Sequence, residues 1–147
     1  MLQQTQVKTV IPYFFKFIKK YPTLRSLSQS NEMQILKLWE GLGYYRRAKN
    51  LLASSKILVQ EYNSKLPYEI KEIKKLPGVG DYTANALLGL VYDKPTIAFD
   101  GNVKRVFARI LNKNESKIDF EKLIELNKKK LFKKKRNSDL VEALMEF

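Results

Sequence analysis

Apolar residues along the chain return every three or four positions, the spacing that lines one face of an α-helix. After Tyr45, the set Ala48, Leu51, Leu52, Leu58, Val59 and Tyr62 makes such a stripe and predicts one long amphipathic helix. Val103, Val106, Phe107, Ile110 and Leu111 predict a second, and Phe120, Leu123 and Ile124 open another. Ala84, Leu87, Leu88 and Val91 form the expected buried stripe of a helix that begins near Gly80. Residues 6–20 also read as helix, with Pro12 either kinking it or marking an internal start. Turn-forming residues punctuate these segments at Tyr21-Pro22-Thr23, Gly41-Leu42-Gly43, Leu66-Pro67, Leu76-Pro77-Gly78-Val79-Gly80, Lys94-Pro95 and Asp100-Gly101. No stretch alternates with period two between hairpin turns, which argues against a sheet. The expected architecture is all-α, with about eight to ten short helices joined by tight loops.

Charge narrows the partner. The 147 residues carry 28 Lys+Arg against 15 Asp+Glu, a formal charge of +13, while 44% are hydrophobic, enough for one domain-sized core. A chain this basic points to a polyanion, DNA or RNA first; solubilising surface charge is the plainer reading. The run Lys128-Lys129-Lys130-Leu131-Phe132-Lys133-Lys134-Lys135-Arg136 fits a solvated helix end slightly better than a phosphate-contacting patch. The absence of Cys excludes disulfides, thiolate zinc and cysteine-ligated clusters within the chain. The absence of His removes the commonest general base, so chemistry must rest on carboxylates, Lys, Tyr or hydroxyls. There is no apolar run of about 18 residues and no export-signal pattern, so a soluble intracellular protein is expected, with no membrane partner.

The sharpest motif is Leu76-Pro77-Gly78-Val79-Gly80 followed at once by a helix. Two glycines one residue apart let the backbone approach a ligand, and the N–H groups at the helix start then face an anion such as phosphate. Asp100 stands about 20 residues on, as a dinucleotide fingerprint requires, but no strand precedes Gly78 and Thr83 takes the place of the third glycine. The turn is better read as the hairpin of a helix-hairpin-helix element, and the continuation Asp81-Tyr82-Thr83-Ala84, Pro95 and Phe99-Asp100-Gly101-Asn102-Val103-Lys104-Arg105-Val106 strengthens it.

With those segments the chain resembles the base-excision DNA glycosylases of the helix-hairpin-helix, Gly/Pro-rich loop, Asp superfamily. Met1-Leu2-Gln3-Gln4-Thr5-Gln6-Val7, Ile11-Pro12-Tyr13-Phe14, Leu38-Trp39-Glu40-Gly41-Leu42-Gly43-Tyr44-Tyr45-Arg46-Arg47-Ala48 and the Asp100 segment narrow the resemblance to the MutY-type enzymes, which remove adenine mispaired with 8-oxoguanine or guanine. The resemblance implies a six-helix domain over 1–98, holding the hairpin at 76–80, and an incomplete helical part of a cluster domain over 99–147. It also implies a monomeric, cytoplasmic, nucleoid-associated protein of bacterial type whose partner is double-stranded DNA with an adenine mismatch. By that family's mechanism the adenine is flipped from the duplex, and a carboxylate stabilises the positive sugar as the glycosidic bond breaks.

Carried over residue by residue, Asp100 matches the catalytic carboxylate, although its position also fits a helix N-cap. Asn102 would orient the sugar site. Tyr82 stands where bifunctional relatives carry a Schiff-base lysine, so strand-cleaving lyase activity is not expected. Gln4 and Tyr44, with Leu42 beside them, match residues that enter the base stack. Gly78, Val79, Gly80 and the Tyr82 backbone would clamp a phosphate, with Arg46, Arg47, Lys104 and Arg105 as further backbone contacts. Glu142 lies where related enzymes place a carboxylate near the adenine.

Two departures qualify the function. The family's adenine-protonating Glu would precede Met1, and its four cluster cysteines would follow Phe147, so neither the acid nor the [4Fe–4S] ligands are among these residues. Met1-Leu2-Gln3-Gln4 has no capping signal before it and residues 142–147 stop inside an apolar-periodic segment with no Gly or Asn to end it, so a chain cut from something longer is expected. General acid catalysis contributes roughly 10² to 10⁴ in rate, so the 147 residues alone are expected to be nearly inactive and to expose apolar surface. The alternatives are a non-catalytic helix-hairpin-helix DNA-binding module and a basic RNA- or ribosome-associated helical protein.

Overall fold

The computed structural model describes residues 1–132 and 136–145, with nothing described of the Lys128 side chain. Positions 133–135 of the basic run and positions 146–147 of the last helical segment therefore lie outside the described residues. Among the described residues the chain is all-helical, with no strand. The helices are α1 (Val7–Lys20), α2 (Leu24–Ser28), α3 (Glu32–Trp39), α4 (Arg46–Glu61), α5 (Ile70–Ile73), α6 (Asp81–Tyr92), α7 (Gly101–Ile110), α8 (Phe120–Leu131) and α9 (Asn137–Met145). A 3₁₀ turn, Glu115–Lys117, lies between α7 and α8.

The helix starts follow from local chemistry. Thr23 and Asn31 each accept from the third backbone N–H of the helix they open, and Ser26 and Gln34 reach back to close capping boxes. Pro12 lies inside α1, which is one continuous element; there is no internal start.

The chain divides into two compact units: Met1–Pro67 with Lys75–Gly78, and Tyr68–Lys74 with Val79–Phe147. This differs from the expected division at 98/99, because α6 packs on α9 and so joins the later part of the chain. In the first unit α4 packs against α2 and α3, and α3 against α1. Its core gathers Val10, Phe17, Tyr21, Leu27, Ile35, Trp39, Leu42, Ala48 and Leu52. The expected α4 stripe is buried at Ala48, Leu52 and Leu58. Val7, Ile11, Phe14, Phe15 and Ile18 leave an apolar side of α1 exposed.

In the second unit the α6–α9 contact needs Gly89, where an added Cβ would stand 2.5 Å from Val141 Cγ2. Ala84, Ala86, Leu88 and Gly89 are buried on α6, whereas Val91 is 56% exposed, against the expected stripe. Asp93, left-handed at φ 52, ends α6 and caps α9 from outside: its Oδ1 accepts from the Ser138 N–H at 2.7 Å. On α7, Val103 and Ala108 are buried while Ile110 is exposed, which shifts the buried face from the one the periodicity suggested.

Candidate nucleic-acid interface

The first unit builds two exposed loops. Trp39 ends α3, and its indole Nε1 donates to the Gly43 carbonyl at 3.0 Å, holding the turn that leads into α4. Tyr44 follows, left-handed at φ 49 and 60% exposed. Gln4 sits at φ 55 on the turn closed by the Thr5 N–H to Leu2 carbonyl bond, and is also exposed. A left-handed backbone costs about 1–2 kcal/mol at a residue with a Cβ, so each of these backbone conformations is imposed by its surroundings. The two expected wedge residues are therefore the exposed tips of their loops. Leu42 differs from the expected wedge: it is only 5% exposed, and its side chain belongs to the core cluster with Trp39 and Ala48.

Arg47 differs as well. Its Nη1 donates to the carbonyls of Met1, at 2.6 Å, and Gln3; its Nη2 donates to those of Gly43, at 3.2 Å, and Leu42, at 3.4 Å. The guanidinium carbon stands 5.2 Å from the Tyr44 ring centre and 5.6 Å from that of Trp39. Burial pulls its pKa below the ordinary arginine value, with the Tyr44 phenol acting in the opposite direction. A group committed this way is not turned toward a phosphate. Arg46, next in the chain, is exposed.

One helical face of α4 continues this role. Asn50 and Ser54 follow Arg47 at the third and seventh positions, so all three share a side of the helix. Ser54 Oγ donates to the Pro77 carbonyl at 3.2 Å. The Asn50 side chain lies against Gly78, where any added Cβ would collide with its amide. Gly78 also has φ 78, so both its conformation and its neighbour demand glycine. The sequence signal for Asn50 and Ser54 was present in that spacing, but nothing in it said that the hairpin lay opposite.

The hairpin continues into the second unit with Val79 and Gly80. Gly80 has ordinary φ (−93°) and nothing within 4 Å of an added Cβ, so the protein's own packing does not require glycine there. It opens α6 without a side-chain cap, and the Ala84 N–H bonds back to its carbonyl at 2.9 Å. The uncapped first turn presents the backbone of Asp81 and Tyr82 to an anion. The Asp81 carboxylate would oppose such a guest, but the Lys74 ammonium pairs with it.

Asp100 is half-buried and caps α7, its Oδ1 accepting from the Val103 N–H at 2.8 Å. Asp100 is thus the helix N-cap that its position also fitted. Burial pushes the Tyr82 phenol above its ordinary pKa, and the Asp100 charge pushes it further, so the phenol stays protonated at neutral pH. Asn102 is exposed in the first turn of α7. Lys104 stands with its Nζ 5.7 Å from the Phe120 ring centre, beside the Phe99–Phe107 and Phe99–Phe120 ring contacts. Arg105 is exposed. Glu142 is exposed on α9, and among the described residues no hydrogen bond or ion pair joins it to Asp100, Asn102 or Tyr82. Two surface depressions, one lined by Glu32, Met33, Leu36, Lys37, Glu40 and Tyr45 and the other by residues between Arg105 and Glu115 that include Ala108, Arg109 and Asn112, do not include Asp100.

An iron–sulfur cluster finds no cysteine or histidine ligand in these 147 residues. Among the described residues no group of three or more His, Cys, Asp or Glu side chains is arranged to hold a metal ion. The donor set does not fit such a cluster. No described helix is long and apolar enough to cross a membrane.

An adenine DNA glycosylase of Buchnera aphidicola (subsp. Baizongia pistaciae) is 49% identical over 124 residues, covering 84% of this chain and 35% of the relative. A human adenine DNA glycosylase is 40% identical over 111 residues, covering 75% of this chain and 20% of the relative. The chain thus spans about a third or less of the length of these relatives. The structure of a thermostable thymine-DNA glycosylase matches with a TM-score of 0.81 at 27% identity, over 99% of this chain and 68% of that one. The model of the HhH-GPD superfamily base excision DNA repair proteins matches residues 1–133. The hairpin at 76–80, the Asp100 cap and this match over most of the chain place it in the HhH-GPD superfamily of base excision DNA repair proteins.

Proposed function

We propose that these residues form the DNA-binding and carboxylate-bearing core of a monofunctional glycosylase that removes adenine mispaired with 8-oxoguanine or guanine. The observation that carries the reading is Asp100: a half-buried carboxylate whose Oδ1 is fixed by the α7 backbone beside a phenol that stays protonated. The names of the relatives support adenine as the base. The partner is double-stranded DNA, bound by a monomer in the nucleoid.

The chemistry is the hydrolysis of one C1′–N9 bond. The bonding pair leaves with the adenine, the sugar becomes positive at C1′, and a water oxygen then adds there while its proton departs. A preorganised carboxylate stabilises the positive sugar more than the neutral nucleoside, which lowers the barrier. Asn102 orients the sugar and Glu142 faces the base. Tyr82 has no amine to form an imine, so the strand is left uncut. The leaving adenine also needs a proton, which the resemblance assigns to a Glu upstream of Met1.

Single-turnover adenine release from an adenine:8-oxoguanine duplex tests this, using the 147-residue chain and the same chain extended upstream by a Glu-bearing helix. The extended protein is expected to release adenine and leave the strand intact, and the shorter chain to be slower by roughly 10² or more. An extended protein that binds duplex but never releases base would mean a non-catalytic DNA-binding module.

The hairpin supplies a second expected result. Gly80→Ala should keep thermal stability within about 0.5 kcal/mol, because open space surrounds the new methyl. It should weaken duplex binding by roughly 10-fold or more, since losing a charge-assisted backbone contact costs about 1.5–3 kcal/mol. Gly78→Ala should instead lower stability itself, as seen in a denaturant midpoint, because of its φ and the Asn50 amide. Equal effects of the two substitutions on stability would remove the phosphate-approach argument for Gly80.

A further inference from the structure

Gln4 and Tyr44 lie 40 residues apart, yet both are exposed tips with left-handed backbones, and one side chain ties their loops together. The Arg47 fork divides evenly. Nη1 takes the Met1 and Gln3 carbonyls on the turn that carries Gln4, and Nη2 takes the Leu42 and Gly43 carbonyls on the loop that carries Tyr44. The Tyr44 ring covers the guanidinium from one loop, and Trp39 lies 5.6 Å away while its Nε1 holds the same Gly43 carbonyl. Arg47 itself is anchored in the first turn of α4, next to the fully buried Ala48.

We propose that Arg47 is a positioning residue and not a phosphate ligand: it locks the Gln4 turn to the Tyr44 loop, so that both side chains enter a duplex as one preorganised wedge. The proposal rests on the DNA-binding reading above and deepens it by assigning how the mispair is discriminated. A planar fork with donors on two nitrogens can bridge two loops at once, whereas an ammonium is a single point of attachment that cannot hold both pairs of carbonyls. Preorganisation matters because side chains ordered only on binding oppose the contacts they make. A loosened wedge therefore loses its preference for the mispaired site while the phosphate contacts, which are sequence-blind, persist.

The test uses Arg47→Lys and Arg47→Ala in this chain, with two readouts. The first is amide hydrogen exchange of residues 1–5 and 41–45 without DNA. Both variants are expected to exchange at least 10-fold faster in these two segments, with α6 unchanged. The second is binding to an adenine:8-oxoguanine duplex and to the matched duplex across a salt series. Here the mispair preference is expected to fall about 10-fold with the slope of log K against log salt unaltered. A slope reduced by about 1, with wild-type exchange and full rescue by Lys, makes Arg47 a phosphate ligand and overturns the proposal. Should Arg47→Ala not fold, Arg47→Lys decides alone, because it keeps the charge and removes the bridge. Wild-type protein that binds no duplex would overturn the DNA reading, while the exchange data would still decide whether Arg47 locks the two loops.

Discussion

Replacing Asp100 by Asn is expected to reduce adenine release by roughly 10² to 10³ while leaving duplex binding and folding nearly intact, the size of effect seen when one preorganised charge-stabilising group is removed. The substitution is selective because Asp100 has two tasks that Asn separates. Its Oδ1 caps α7 through the Val103 N–H at 2.8 Å, and an Asn side-chain oxygen accepts that bond equally well. Only the negative charge is lost. Asp100→Ala removes both, and should add about 1 kcal/mol of destabilisation from the missing cap. Single-turnover kinetics of the Glu-extended protein, with a thermal melt of each variant, separate the two tasks. If Asp100→Asn kept full turnover, Asp100 would be a cap and nothing more. The same variant reads out on Tyr82, whose phenol should ionise at lower pH once the neighbouring charge is gone, yet still above the ordinary value because burial remains. The sign for stability follows: a phenol whose folded pKa is raised contributes stability below its unfolded pKa, near 10, and loses it as pH rises through the folded value. Tyrosine-selective labelling and an NMR titration would follow the shift.

Trp39→Ala is expected to cost about 3–5 kcal/mol, the range for deleting a buried aromatic side chain. The residue is 1% exposed, and its ring centre lies 6.2 Å from that of Phe17, which in turn lies 5.4 Å from that of Tyr21. A domain has only about 5–15 kcal/mol in total, so this loss leaves the unit marginally stable. Trp39→Phe isolates a smaller effect by keeping much of the packing while deleting the indole donor to the Gly43 carbonyl. That carbonyl still accepts from Arg47, so the expected cost of the deleted bond is about 1 kcal/mol, with faster exchange confined to residues 41–45. Urea unfolding followed by circular dichroism checks both variants. Trp39 is the one tryptophan of the chain, so its fluorescence reports this core in the wild type. A Trp39→Ala midpoint within error of wild type would mean that the first unit does not depend on this core.

The longer helices and the Asp100 cap are local matters and were legible from residue order alone. The three-and-four spacing and the turn at Gly78 depend on neighbours a few positions away, and α1, α4, α6, α7 and α8 formed about where their own residues dictated, while the short α2 and α3, opened by caps at Thr23 and Asn31, carried no apolar stripe long enough to read. The Asp100 cap was legible for the same reason: an acidic residue before a helix accepts from a backbone N–H three residues on, whatever the rest of the chain does. Faces and partners were not local. Val91 fits the α6 stripe by spacing yet is exposed, while Gly89, off that stripe, is the position packed against Val141 of α9. Leu42 reads as a loop residue able to touch DNA until the fold turns it into the core. Arg47 reads as one more surface cation in a chain of charge +13 until residues 44 and 46 positions away bring carbonyls to its fork. Short-range geometry places a backbone, whereas the identity of what a side chain meets is decided by contacts between segments distant in sequence, and no periodicity encodes those distances.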